Sequence, residues 1–242
     1  MTFRERMLTS ARKRGSRVVL ALDLWGPYGT RLGRASAVLG ATKGGIAAVK
    51  LNHHLLLPFG LEGLREVVAT CRKESLPLIA DLKLNDIEAT NLNAVESLFS
   101  YGFDAVIANP FVGFEEGLGQ VIARSHRKGR GVLLLVYMSH KGAADGYSLR
   151  TEEGEPLYRV FARRARDWKA DGVVVSAKSS DIIRETRGTV GRGCMIFSPG
   201  VGAQGGSAES AMGADFVIVG RSITEAKDPG KELERLNSAL GR

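Results

Sequence analysis

Three charged side chains, Asp81, Lys83 and Asp86, fall within the first six residues of "DLKLNDIEAT" (81–90), directly after the apolar run "LPLIA". In an extended strand successive side chains point to opposite faces, so Ile79, Asp81 and Lys83 share one face and Ala80 and Leu82 the other. The same alternation in "VVLALDL" (18–24) aims Asp23 with the odd-numbered residues, and in "IAAVKLN" (46–52) it aims Lys50. Buried charges persist when they are paired, and alternating signs let each carboxylate lie against an ammonium. The arrangement therefore predicts a set of fixed charges available to a charged substrate. The competing reading is a structural ion-pair network. Asp86 stands just past the run, where it serves either as a further site charge or, like Asn85, as the cap of a following helix.

The elements that must position these residues recur along the whole chain. Apolar runs occur at 18–24, 46–52, 76–83, 103–110, 131–138, 171–177, 194–200 and 215–220. Their starts lie roughly 20 to 40 residues apart, enough in most intervals for a crossover helix between parallel strands. Eight such units in 242 residues predict a closed (β/α)8 TIM barrel formed as a single domain over residues 1–242, with a doubly wound open sheet as the competitor. In a barrel the catalytic side chains stand at the carboxyl ends of the strands, which is where Asp23, Lys50, Asp81 and Lys83 fall.

Residues 200–205, "GVGAQG", fit the dinucleotide-binding pattern G-x-G-x-x-G. The following strand begins near Asp215, which leaves no room for the helix that such a unit needs. The segment is better read as a loop whose backbone N–H groups approach an anion. Gly220 and Arg221, after the eighth run, place a helix start and a guanidinium at the second loop that phosphate sites of such barrels use. "MSHKGAADGYS" (138–148) reads as a loop able to fold over a ligand. His53, His54 and His140 lack the spacing of a metal site or an acid–base pair and are expected to be solvated or packed.

The formal charge is +8, yet the basic residues are scattered, aromatic residues make up 7% of the chain, and none cluster with the basic runs. That argues against a nucleic-acid partner and fits attraction of a small anion. The densest basic run, "RERMLTSARKRGSR" (4–17), reads as a solvated helix. Cys71 and Cys194 have no C-x-x-C partner and read as core thiols. No run of about 18 apolar residues and no signal-peptide pattern is present, so neither a membrane nor a secretory route is expected and the cytoplasm is the predicted location.

Together these residues resemble the orotidine 5′-monophosphate decarboxylase family in its compact, single-domain form, over essentially the whole chain. The resemblance rests on "ALDL" with Asp23, "VKLN" with Lys50, "DLKLNDIEATN" with its D-x-K-x-x-D-I-x-x-T pattern, "MSH" with Ser139, "SPGVGAQGG" with Pro199 and Gln204, and "VGRSI" with Gly220 and Arg221. It implies a charged catalytic array of Lys50, Asp81, Lys83 and Asp86, with Asp86, Ile87 and Thr90 supplied by the other subunit of a homodimer. It further implies Asp23 at the ribose, Ser139 and Pro199 at the pyrimidine, and Gln204, Gly220 and Arg221 at the 5′-phosphate. The implied reaction replaces a carboxylate by hydrogen with neither metal nor organic cofactor. Related magnesium-dependent sugar-phosphate enzymes, which resemble the same scaffold, are the alternative; they carry an acidic residue where this chain has Lys50. Asn52, His53 and His54 replace a segment that contains glycine in many relatives, and Lys141 stands where proline is common.

Overall fold

The computed structural model describes residues 1–201 and 211–241. Its strands are β1 (Val18–Ala21), β2 (Ala48–Asn52), β3 (Leu78–Leu84), β4 (Ala105–Ala108), β5 (Gly131–Tyr137), β6 (Gly172–Val175), β7 (Met195–Pro199) and β8 (Phe216–Val219). They pair in sequence order, all parallel, and β8 closes on β1. The closed barrel excludes the doubly wound sheet. Each predicted run coincides with one strand, shortened at one or both ends, except that β3 extends one residue past its run to Leu84.

The helices are α1 (Phe3–Arg14), α2 (Tyr28–Thr42), α3 (His53–Gly63), α4 (Arg65–Lys73), α5 (Glu88–Tyr101), α6 (Gly119–Arg127), α7 (Ala143–Tyr147), α8 (Leu157–Asp167), α9 (Ser180–Val190), α10 (Arg221–Thr224) and α11 (Pro229–Ala239). Strand alternation divides the core into two shells. Leu20, Val49, Leu51, Leu134 and Val217 face outward onto helix residues such as Leu39, Val67 and Phe161. Val19, Ala21, Ile79, Leu133, Phe197 and Phe216 face inward and fill the barrel, where Phe197 stacks on Phe216 at 5.1 Å. Strands buried on both faces read as nearly continuous apolar runs, which is why all eight were visible in the sequence.

The basic N-terminal run does form a helix, but one face of it is not solvated. Phe3 and Met7 are fully buried and belong to the interior shell of the barrel. Thr2 and Glu5 form a capping box at the start of α1, and Gly15, at φ 57°, ends it. The helix thereby seals the floor of the barrel, with Phe3 lying so close to Gly131 at the start of β5 that no Cβ fits there. Cys71 and Cys194 are buried thiols, as expected, and burial pushes both up to about 12.

Replacing Phe3 by Ala empties a fully enclosed position. The expected loss is about 3–5 kcal/mol of stability, read as a lower urea midpoint. An unchanged midpoint would show that the floor does not depend on α1.

Candidate active site

Strand register explains how the charges meet. Lys50 points inward from β2, level with Ala21 of β1 on one side and Ile79 of β3 on the other. Asp23 follows Ala21 by two residues and Asp81 follows Ile79 by two, so both carboxylates stand one inward position nearer the mouth. The lysine stem rises between them. Its Nζ donates to Asp81 Oδ2 at 2.8 Å and to Asp23 Oδ1 at 3.2 Å, while Lys83 Nζ donates to Asp81 Oδ1 at 2.8 Å. The result is an alternating chain Asp23, Lys50, Asp81, Lys83. Asp23 reaches it from just beyond β1, which ends at Ala21.

Burial differs along this chain. The Lys50 side chain is 4% exposed and that of Asp81 9%, whereas Lys83 is 33% and Asp23 29% exposed. Burial works against the Lys50 ammonium, but Asp81 and Asp23 outweigh it and hold its pKa above the usual lysine value. Burial likewise works against the Asp81 carboxylate, and Lys50 and Lys83 outweigh that, holding its pKa below the usual range. Both groups are therefore charged at neutral pH.

Simple alternation does not account for Lys83. Between its pairs Ala80↔Val106 and Leu84↔Ala108, β3 advances four residues while β4 advances two. Within this bulge Lys83 adopts φ 49°, in the left-handed region that side chains other than glycine rarely enter. The bulge re-aims the ammonium onto Asp81, and its cost is on the order of 1–2 kcal/mol.

The chain of charges forms one side of a pocket of ≈ 450 Å³ at the carboxyl ends of the strands. Across from it stand Ile107, Leu135, Val174 and Ile218, the last inward residues of β4, β5, β6 and β8. Met138, Ser139, Pro199, Gly220, Arg221 and Ser222 complete the rim. Gly220 caps α10 and lies against β1, where a Cβ would come within 3.3 Å of the Ala21 carbonyl oxygen. One half of the pocket thus offers fixed charges and the other an apolar surface, suited to a flat ligand with an ionised substituent. Among the described residues no group of three or more His, Cys, Asp or Glu side chains is placed to hold a metal ion, and no helix is long and apolar enough to cross a membrane.

Residues 16–236 match the model of the orotidine 5′-phosphate decarboxylase / HUMPS family. The chain belongs to this family. Among curated relatives it is 34% identical over 214 residues to the orotidine 5′-phosphate decarboxylase of Pyrococcus abyssi, covering 88% of this chain and 93% of that one. It is 38% identical over 192 residues to that of Methanosarcina acetivorans, covering 78% and 80%. Among solved structures it superposes on the orotidine 5′-phosphate decarboxylase of Pyrococcus horikoshii with a TM-score of 0.75 at 31% identity, covering 92% and 98%. On the Methanocaldococcus jannaschii orotidine 5′-monophosphate decarboxylase complexed with the inhibitor BMP the TM-score is 0.80 at 27% identity, covering 94% and 99%.

Within this member of the family, the sequence-predicted residues Asp23, Lys50, Asp81, Lys83, Ser139, Pro199, Gly220 and Arg221 all line the one pocket. Asp86, Ile87 and Thr90 do not; they are exposed at the start of α5, with Ile87 66% exposed. Asp86 is not a helix cap either: its Oδ1 accepts from the adjacent Ile87 N at 2.7 Å, and α5 has no side-chain cap. Gln204 lies outside the described residues. Sequence reasoning missed the apolar wall, together with Trp25, Asn52 and His54. Ile107, Leu135, Val174 and Ile218 were reachable by extending the same alternation to every strand; nothing in the spacing marks Trp25 or His54.

Two expected outcomes follow from this geometry. Asp81→Asn removes the shared partner of two ammonium groups and should cost about 3–5 kcal/mol near neutral pH. Because the Asp81 pKa is lowered on folding, its contribution is complete above about pH 4 and is lost as pH falls through the lowered value. Urea titrations of wild type and variant should therefore converge only at acid pH; a gap independent of pH down to 2 would contradict the ionic account. For the bulge, Lys83→Gly should be about 1 kcal/mol more stable than Lys83→Ala, since both lose the ammonium and only glycine tolerates the backbone. Equal midpoints would show that the bulge relaxes without cost.

Proposed function

We propose that the chain decarboxylates orotidine 5′-monophosphate to uridine 5′-monophosphate, a step of pyrimidine biosynthesis, as a carboxy-lyase that needs neither metal nor organic cofactor. The observation that carries the reading is the Lys83 ammonium, held on Asp81 at the polar side of a pocket whose other side is apolar. Family membership and the names of the relatives support it. Lys50 favours it over the sugar-phosphate reading, because a lysine stands where the resemblance leads one to expect an acidic residue in those enzymes.

In the proposed reaction the bond between C6 and the carboxylate carbon breaks, its electron pair stays on C6, and carbon dioxide leaves. Lys83 then delivers a proton to C6 and regains one from solvent. A cation fixed beside C6 stabilises the localised charge of the transition state more than the delocalised carboxylate, which is the differential effect that raises rate. At about 4 Å and an effective dielectric near 20, one such pair is worth on the order of 4 kcal/mol. Lys83 therefore supplies part of the acceleration, and exclusion of water and remote phosphate binding supply more. Asp81 orients both ammonium groups, and Lys50 keeps Asp81 ionised.

The remaining roles belong to the same proposal. Asp23 binds the ribose hydroxyls, Ser139 and Pro199 the pyrimidine, and Gly220, Arg221 and Gln204 the 5′-phosphate. Asp86, Ile87 and Thr90 complete the neighbouring site of a homodimer, a reading supported by their exposure outside the pocket of their own chain. The protein acts as one domain in the cytoplasm, without nucleic acid or membrane.

The test follows the ultraviolet absorbance of orotidine 5′-monophosphate in excess EDTA. Wild type is expected to turn it over, Lys83→Ala to lose at least about 10³-fold, and Arg221→Ala to act chiefly on KM. Specific activity should fall on dilution below the dimer dissociation constant. No turnover by folded wild type would refute the reading, and magnesium-dependent activity on a sugar phosphate instead would point to the sugar-phosphate enzymes.

A further inference from the structure

His54 lines the pocket beside Asp23, Lys50 and Trp25, and the proposed reaction leaves it unused. Its ring is fixed from two sides. Asn52 caps α3, where its Oδ1 accepts the backbone N–H of His54 at 2.9 Å and lies 2.9 Å from His54 Nδ1. A backbone N–H only donates, so the amide atom facing α3 is the oxygen, and the ring nitrogen sharing it carries the proton. In the neutral ring Nε2 is then an acceptor, and it makes no hydrogen bond among the described residues. On the other side the Trp25 ring packs at a centroid distance of 4.5 Å and an angle of 59°.

The loop that carries Asp23 and Trp25 is joined to α3 beyond this one contact. Tyr28 stacks on Phe59 at 4.4 Å, and Arg31 bridges the Gly26 carbonyl at 2.8 Å and that of His54 at 3.4 Å. Asp23 and His54 therefore form one wall of the pocket.

We propose that His54 is a substrate-binding residue whose Nε2 accepts a hydrogen bond from one ribose hydroxyl of a nucleotide while Asp23 holds the neighbouring one. The assignment rests on the nucleotide reading of the site and adds a recognition element to it. A vicinal diol presents two O–H donors, and a carboxylate beside a neutral imidazole presents two matching acceptors. Neutrality is favoured by the surroundings. Burial works most strongly against the imidazolium, Lys50 on β2, Arg31 on α2 and the adjacent His53 add to it, and Asp23 opposes them, leaving the His54 pKa below its ordinary value. When the ring gains a second proton, Nε2 becomes a donor and the match to the diol is lost.

Calorimetric titration of the full chain with uridine 5′-monophosphate and its 2′-deoxy and 3′-deoxy analogues tests this, using wild type, His54→Ala and His54→Gln at pH 8. Ratios of affinities cancel the ionisation of the phosphate, which the three ligands share. For one of the two analogues, wild type at pH 8 should bind the ribonucleotide roughly three- to tenfold better. His54→Ala should lose that preference, and His54→Gln, whose amide oxygen also accepts, should recover part of it. Equal preferences in wild type and His54→Ala would overturn the assignment. Turnover is measured on the same preparations. Wild type that decarboxylates orotidine 5′-monophosphate without a His54 effect refutes the His54 role alone; wild type that neither binds nucleotide nor turns it over refutes the nucleotide reading as well.

Discussion

An ammonium group held under a pocket at 4% exposure is the constraint around which the charged half of this protein is organised. Lys50 cannot stay ionised there unless carboxylates replace the water it has lost, and two do so from neighbouring strands. Asp81 meets the same demand through Lys50 and Lys83. Neither buried group is balanced alone. The three strands that carry them must therefore hold their relative heights closely, and a parallel register backed by two apolar shells does this.

The opposite half of the pocket serves a different end. Ile107, Leu135, Val174 and Ile218 offer no hydrogen bonds, so a ligand lying on them turns its polar groups toward the charges. Low polarity on that side also lowers the local dielectric, which strengthens the field of a fixed ammonium where a carbanion would develop. Preorganisation here is built into strand ends, with local departures from regular geometry at the Lys83 bulge and where β5 shifts register against β6 between Leu135 and Tyr137.

How far this could be read from the residues alone depends on the range of the interactions involved. Strands buried on both faces leave apolar runs, and period-two alternation assigns Lys50 and Asp81 their direction; both are local signals. The left-handed conformation of Lys83 is not local, because it arises from the mismatch of β3 with β4. The plug formed by Phe3 and Met7 escaped notice for a related reason: two apolar residues in a basic helix look like an ordinary amphipathic face until the barrel floor beneath them is known. His54 reads as an ordinary packed histidine because its partners, Asn52 and Trp25, signal nothing by spacing. The exposure of Asp86, Ile87 and Thr90 is likewise invisible in a motif that lists them beside buried Asp81.

The sealed floor has a kinetic meaning. With Phe3 and Met7 filling one end and side chains packed through the middle, the barrel of the described residues is closed below, and its mouth at the carboxyl ends serves both arrival and departure. Whatever binds deepest must wait for what lies above it to leave. A nucleotide anchored near the rim by its phosphate would act as a stopper over anything released beneath it.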